Sequence, residues 1–134
     1  MKKLLSLFSI LCVFMSVVAC SSQSTPEAVT EQYAKNLKAS DYDAIVKQFY
    51  FDQSSPEKAA KSEEQMKAIM LEKVKPEMDK VGGVDSYEIG EAVISKDGDS
   101  AKVPLNMVYG NGKTFNRNTE LIKVGEKWYL SSGR

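Results

Sequence analysis

Apolar residues recur along the chain first with a helical period and then with an alternating one, and the switch divides the sequence in two. Thr25-Pro26-Glu27 carries three helix-start signals: a capping hydroxyl, a proline suited to the first helical position, and an acid at the positive end of the dipole. Val29, Tyr33 and Leu37 follow in steps of four with Ala34 beside them, predicting a first helix that ends near Ala39-Ser40. Asp41 caps a second helix, whose Tyr42, Ile45, Val46 and Phe49 form one amphipathic face before Tyr50-Phe51-Asp52 closes the segment. Ser55-Pro56-Glu57 repeats the start signal. The third helix runs to about Val81, with Met66, Ile69, Met70, Val74 and Val81 as core contacts. Pro76 should kink or split it, and Gly82-Gly83 should stop it.

Beyond Gly83 the period becomes two. Tyr87, Ile89, Glu91 and Val93 share one face of a strand over about Asp85 to Ser95, and Lys96-Asp97-Gly98-Asp99 is a turn. Ala101, Val103, Leu105, Met107 and Tyr109 alternate along a second strand. Pro104 lacks a ladder donor, so that strand is expected at a sheet edge or with a bulge there. Asn111-Gly112 signals a hairpin into a third strand over about Lys113 to Val124. Val124-Gly125-Glu126-Lys127 turns the chain into a short last strand, Trp128-Tyr129-Leu130. Three helices followed by a four-stranded antiparallel meander make an α+β domain, with N-terminal helices packed on a curved sheet.

The first 19 residues do not belong to that pattern. Met1-Lys2-Lys3 is a positive start, and Leu4 to Val18 is an uncharged, largely apolar run, which together have the grammar of a secretory signal. The run is too short and too serine-interrupted for a comfortable bilayer span of roughly 20 residues. Val17-Val18-Ala19-Cys20 resembles a bacterial lipobox. Ala19 suits the tight pocket of the signal peptidase, and the Cys20 thiol is the atom that takes a diacylglycerol. Cys12 fails the same test because bulky Leu11 precedes it. The competing reading is an ordinary signal, or an uncleaved anchor, with an incidental cysteine. The lipobox reading divides the chain into a signal peptide at 1–19, a lipidated polar tether at 20–24 and a single domain at 25–134. Diacylglycerol and further acyl chains such as palmitate on Cys20 would hold the exported protein on the cell envelope, at about 0.8 kcal/mol per buried methylene. Ser21 in place of an aspartate favours the outer over the inner membrane in a Gram-negative host.

Composition limits what such a domain does. Removing residues 1–19 from 134 leaves 115, enough to bury a core, and no thiol remains for a bridge. Loss of Lys2 and Lys3 leaves 16 basic against 18 acidic residues, a net charge of −2. Nothing resembles the basic field that nucleic acid requires, and a polybasic lipid-binding patch is also absent. The chain has no histidine, hence neither the commonest general base nor the commonest transition-metal ligand. No metal or other cofactor is expected.

The turns, caps and aromatics carry a resemblance. The signal, Thr25-Pro26-Glu27 with two amphipathic helices, and Phe49-Tyr50-Phe51-Asp52 belong to it. So do Val81-Gly82-Gly83-Val84, Ser86-Tyr87-Glu88-Ile89, Tyr109-Gly110-Asn111-Gly112-Lys113, and Leu121-Ile122-Lys123-Val124 with Lys127-Trp128-Tyr129. Together they resemble the small lipoproteins of domain of unknown function 4878, over nearly all of residues 20–131. That resemblance implies a cone of the nuclear transport factor 2-like, cystatin-like kind, often with an apolar pocket. The wider superfamily includes enzymes, small-ligand binders and protein-binding modules, and fold does not select among them.

Candidate pocket residues are the aromatics Tyr33, Tyr42, Phe49, Tyr87, Tyr109, Phe115 and Trp128, although at this spacing a packed core is the better reading of each. Glu91 and Arg117 share strand parity with apolar neighbours and are candidates for an inward ion pair, against a rim location or a different register. Three functions fit. The first is an envelope lipoprotein that binds a protein partner or a small apolar ligand. The second is a pocket enzyme of the isomerase or hydrolase type, which requires a buried carboxylate beside a tyrosine. The third is a spacer without a ligand.

Overall fold

The computed structural model describes residues 23–132. The expected signal peptide, with Ala19 and Cys20, lies outside the described residues. Helix α1 spans Pro26–Lys38, with the Thr25 hydroxyl accepting from the Ala28 amide at 3.1 Å. Its Val29, Ala34 and Leu37 are buried, as the four-residue stripe predicts. Helix α2 is shorter than expected, Tyr42–Val46, capped by the Asp41 carboxylate. Phe49 leaves the helix to form an isolated parallel bridge with Leu130.

The long third helix is continuous but not uniform. Helix α3, Pro56–Ile69, passes into a π-helical turn at Met70–Val74 and then into α4, Lys75–Val81. The proline ring at 76 would strike the carbonyl four residues back in a regular α-helix. The wider turn just before it, in which the Lys75 amide reaches the Met70 carbonyl, takes up that conflict without ending the helix. Gly82, at φ 81°, caps the end in the left-handed region. Of the core contacts expected here, Met70 is buried and Met66 and Val74 pack against the core, but Ile69 is outside the core, 43% exposed.

The sheet has five strands: β1 (Val84–Ile89), β2 (Val93–Ile94), β3 (Ser100–Tyr109), β4 (Thr114–Val124) and β5 (Lys127–Leu130). All pairs are antiparallel, in the order β1-β3-β4-β5, with β2 also on β3. Two expectations need correction, and Pro104 explains both. Strand β3 is central, not an edge, and the single strand expected over 85–95 is broken at Gly90-Glu91-Ala92. The Pro104 carbonyl accepts from the Gly90 amide, so its donorless nitrogen faces the same neighbour. The ladder is interrupted on that side, and Gly90 lies directly against the proline ring. The irregularity that Pro104 demands is therefore in the partner strand.

One face of the sheet is apolar. Ala101, Val103, Leu105 and Met107 are buried on β3, and their partners across β4 are Leu121, Thr119, Arg117 and Phe115. The other face carries exposed Lys102, Asn106, Asn116 and Glu120. Helix α1 packs on the apolar face against β1, β3 and β5. The result is an α+β domain in which the sheet curls around its helices.

Candidate ligand-binding cavity

The third helix crosses the apolar face at a distance. About midway along it α2 packs against it, with Lys67 3.3 Å from the Asp43 carboxylate. At its end it is tied to the β3–β4 hairpin, where the Gly110 amide donates to Gly83 and the Asn111 amide to Val81, both at 2.9 Å. Between these two attachments helix and sheet border a half-open cavity of about 850 Å³, within the several-hundred-Å³ range of small-molecule sites.

Its roof is a methionine-rich stripe, Met66, Met70, Val74 and Met78, at steps of four. In a straight α-helix such a stripe drifts by about 40° per step, because four residues overshoot a turn of 3.6. The π turn winds more loosely and takes back much of that drift, so Met78 still faces the sheet. The floor is Leu105, Met107, Phe115, Arg117 and Thr119, the inward parity of β3 and β4. Tyr33 and Leu37 of α1 and Phe49 close one side, while Tyr109 leans on Phe115 with ring centroids 6.0 Å apart.

Five of the candidate residues thus meet in one place: Tyr33, Phe49, Tyr109, Phe115 and Arg117. Four do not line the cavity. Tyr42 and Trp128 are packed in the core, Tyr87 is half-buried on β1, and Glu91 is exposed in the break between β1 and β2. The proposed Glu91–Arg117 pair is not formed, because the gap opposite Pro104 takes Glu91 out of the inward register. Glu27 binds that gap instead, its carboxylate accepting from the Ala92 amide at 3.2 Å.

The polar groups of the cavity have distinct settings. Burial pushes the Tyr33 phenol above its ordinary pKa of 10.0, and the nearby Arg117 charge pulls it part of the way back. Tyr109 is also raised by burial. Lys73 and Glu77 stand on the roof, both exposed. Among the described residues the buried polar side chains are Thr30 and Asn36, neither of which lines the cavity. The carboxylates at the cavity, Glu77 and Glu120, are exposed. Among the described residues no group of three or more Cys, Asp or Glu is placed to hold a metal ion.

Reading the sequence missed the methionine roof as a cavity wall, as well as Thr119 and the rim serines Ser131 and Ser132. Two signals were present. Met66, Met70, Val74 and Met78 keep a strict four-residue step, and Thr119 lies two residues from Arg117 on the same strand face.

Comparison with known proteins agrees with this architecture. No curated protein matches the chain significantly. A solved structure from Campylobacter jejuni, described as a candidate NTF2-like transpeptidase, is similar with a TM-score of 0.61 and 25% identity, covering 80% of this chain and 97% of that one. The family model for a domain of unknown function, DUF4878, matches residues 18–131. The chain belongs to that family, with an NTF2-like α+β cone as its fold.

Proposed function

We propose that this protein is an envelope lipoprotein, held to its membrane by acyl chains on Cys20, whose cone binds a small, largely apolar ligand. The observation that carries the binding half is the cavity of about 850 Å³ between the methionine roof and the inward face of β3 and β4. Methionine walls adapt to irregular apolar shapes, which suits a ligand and not only a fixed core partner. The anchoring half rests on the lipobox-like Val17-Val18-Ala19-Cys20. Among the described residues no helix is long and apolar enough to cross a membrane.

The description of the Campylobacter jejuni protein points instead to acyl transfer. Such chemistry needs a nucleophile activated by a base. The cavity offers hydroxyls at Thr119, Ser131 and Ser132, while the chain has no histidine and the cavity carboxylates are exposed. Binding is therefore the reading we carry forward.

Native mass spectrometry of the protein purified from membranes tests both halves. The expected result is an acyl mass on Cys20 together with a second, non-covalent mass. In a companion titration the neutral apolar dye N-phenylnaphthylamine should brighten on binding. Thr119→Trp, which fills the floor from a half-buried position, should suppress that signal. An unmodified Cys20 in mature protein removes the anchor. No bound mass and no dye uptake by the wild type remove the ligand.

A further inference from the structure

Arg117 is one of the residues of the cavity floor. It is opposite buried Leu105 on β3, and on its own strand it lies between Phe115 and Thr119, which share its face. Arg117 is exposed where it lines the cavity, so its five donors are open to solvent and to a ligand alike. The ion pairs among the described residues are Lys35–Glu31, Lys67–Asp43 and Lys75–Asp79, none of which involves it. Among the described residues it makes no hydrogen bond either. The Tyr33 hydroxyl, near enough to feel the Arg117 charge, is likewise without a hydrogen-bond partner among the described residues. Two unpartnered donors therefore line one cavity with the largely apolar stripe of Met66, Met70, Val74 and Met78 and with Leu105, Met107 and Phe115.

Other charges do not answer them. By strand alternation Glu120 belongs to the opposite, solvent face of β4, and its main-chain carbonyl accepts from Ser131. Glu77 is on the roof helix one turn from Lys73, both exposed, and it forms no ion pair with Arg117.

We propose that Arg117, with the Tyr33 hydroxyl beside it, anchors the anionic head of an amphipathic ligand whose apolar tail lies under the Met66–Met78 stripe. The head is a carboxylate or phosphate monoanion, which a guanidinium grips through two parallel hydrogen bonds. The tail is a single flexible chain that the methionine roof accommodates. This deepens the ligand-binding reading and rests on it. Lysine at 117 would keep the charge and lose the fork.

The test uses the acylated protein in detergent, with palmitate, methyl palmitate and hexadecyl phosphate displacing a bound neutral dye. Wild-type protein should bind the two anions about tenfold or more tightly than the ester, the scale of a charge-assisted hydrogen-bonded pair. Arg117→Gln should remove that preference, lowering affinity for the two anions about tenfold or more and affinity for the ester much less. Arg117→Lys should retain part of it, and Tyr33→Phe should weaken it several-fold. Lys102→Gln, on the solvent face of β3, should leave it intact. Whichever anion binds tighter names the head group, and either order supports the assignment. Equal affinity for acid and ester, unchanged in Arg117→Gln, overturns the anchor while leaving the cavity a binding site. Failure of all three compounds to displace the dye overturns the amphipathic ligand itself, and absence of dye binding overturns the cavity reading with it.

Discussion

At the scale of single residues, the sequence pattern identifies what is apolar but not what each polar atom on an apolar side chain does. Tyr42 shows the difference. Its ring belongs to the core, as its helical spacing predicts, but its hydroxyl is buried without a hydrogen-bond partner. A stranded donor costs about 1–3 kcal/mol of desolvation, and removing it with the ring intact relieves that cost. Tyr42→Phe should therefore leave the midpoint of urea unfolding unchanged or raise it. A loss of more than about 1 kcal/mol would mean that the hydroxyl has a partner in solution, contrary to its surroundings here. Arg117 is the opposite case. Its strand parity puts it on the face of Phe115 and Thr119, where it lines the cavity yet stays exposed, and its lack of an ion-pair partner is a three-dimensional fact that no spacing rule contains. Asn36 is less legible still. It lies on a helix whose stripe is defined by Val29, Ala34 and Leu37, and nothing local marks it as buried. Its amide donates to Gln48 at 3.1 Å and its oxygen accepts from Gln32 at 3.0 Å, while Gln48 donates to the Val29 carbonyl at 3.0 Å. Only the approach of the segment after α2 creates that network.

At the scale of elements, most boundaries were legible because caps and glycines announce them. The stop at Gly82 and the hairpin at Asn111-Gly112 are where the residues place them, although the hairpin is not the two-residue type that Asn-Gly favours. Only Gly112 has positive φ there, at 86°, and the Asn111 side chain accepts from the Lys113 amide. Legibility failed at Pro104, because a proline constrains its neighbour as much as itself, and the neighbour is 14 residues upstream at Gly90. A second consequence of distant pairing is the meeting of Gly82 with Gly110. A Cβ on Gly110 would sit on the Gly82 carbonyl, so the bare backbone at 110 is what lets the helix end dock on the hairpin. Gly110 lies outside the positive-φ set, so the cost of a side chain there is steric alone. Gly110→Ala should cost about 1–3 kcal/mol in urea unfolding, the range for forcing extra atoms into a packed contact. Gly112→Ala meets open space and pays only for its φ, about 1–2 kcal/mol. The two variants separate in dye binding. Gly110→Ala should also weaken it, because the roof helix loses its far attachment, whereas Gly112→Ala should not. Equal dye affinity in both variants would show that the roof does not depend on this contact.

At the scale of the whole molecule, the proposed anchor and the fold together restrict how the domain sits on a membrane. The tether was expected to run to Ser24, but Gln23 is already part of the fold. Its carbonyl accepts from the Trp128 amide at 2.9 Å, and its side chain donates back to the Trp128 carbonyl at 3.4 Å. Only Ser21 and Ser22 then separate an acylated Cys20 from β5, a reach of roughly 10 Å at full extension. Strand β5 and the β4–β5 turn should therefore lie at the lipid surface. The β3–β4 hairpin is at the far end of β4, 10 residues and about 34 Å along the strand. Trp128 is the only tryptophan in the chain, which makes the geometry measurable. In liposomes carrying a dansyl headgroup lipid, the acylated protein should transfer energy from Trp128 efficiently. Inserting ten glycine and serine residues between Ser22 and Gln23 lets the domain move away on a flexible coil, with a root-mean-square reach of about 16–19 Å. Transfer should fall accordingly, while binding of the neutral dye in the cavity stays the same. Transfer that is weak before the insertion and unaffected by it would mean that β5 does not face the bilayer. In that case the Gln23–Trp128 contact serves only to close the sheet edge, and the orientation argument fails with the anchor still in place.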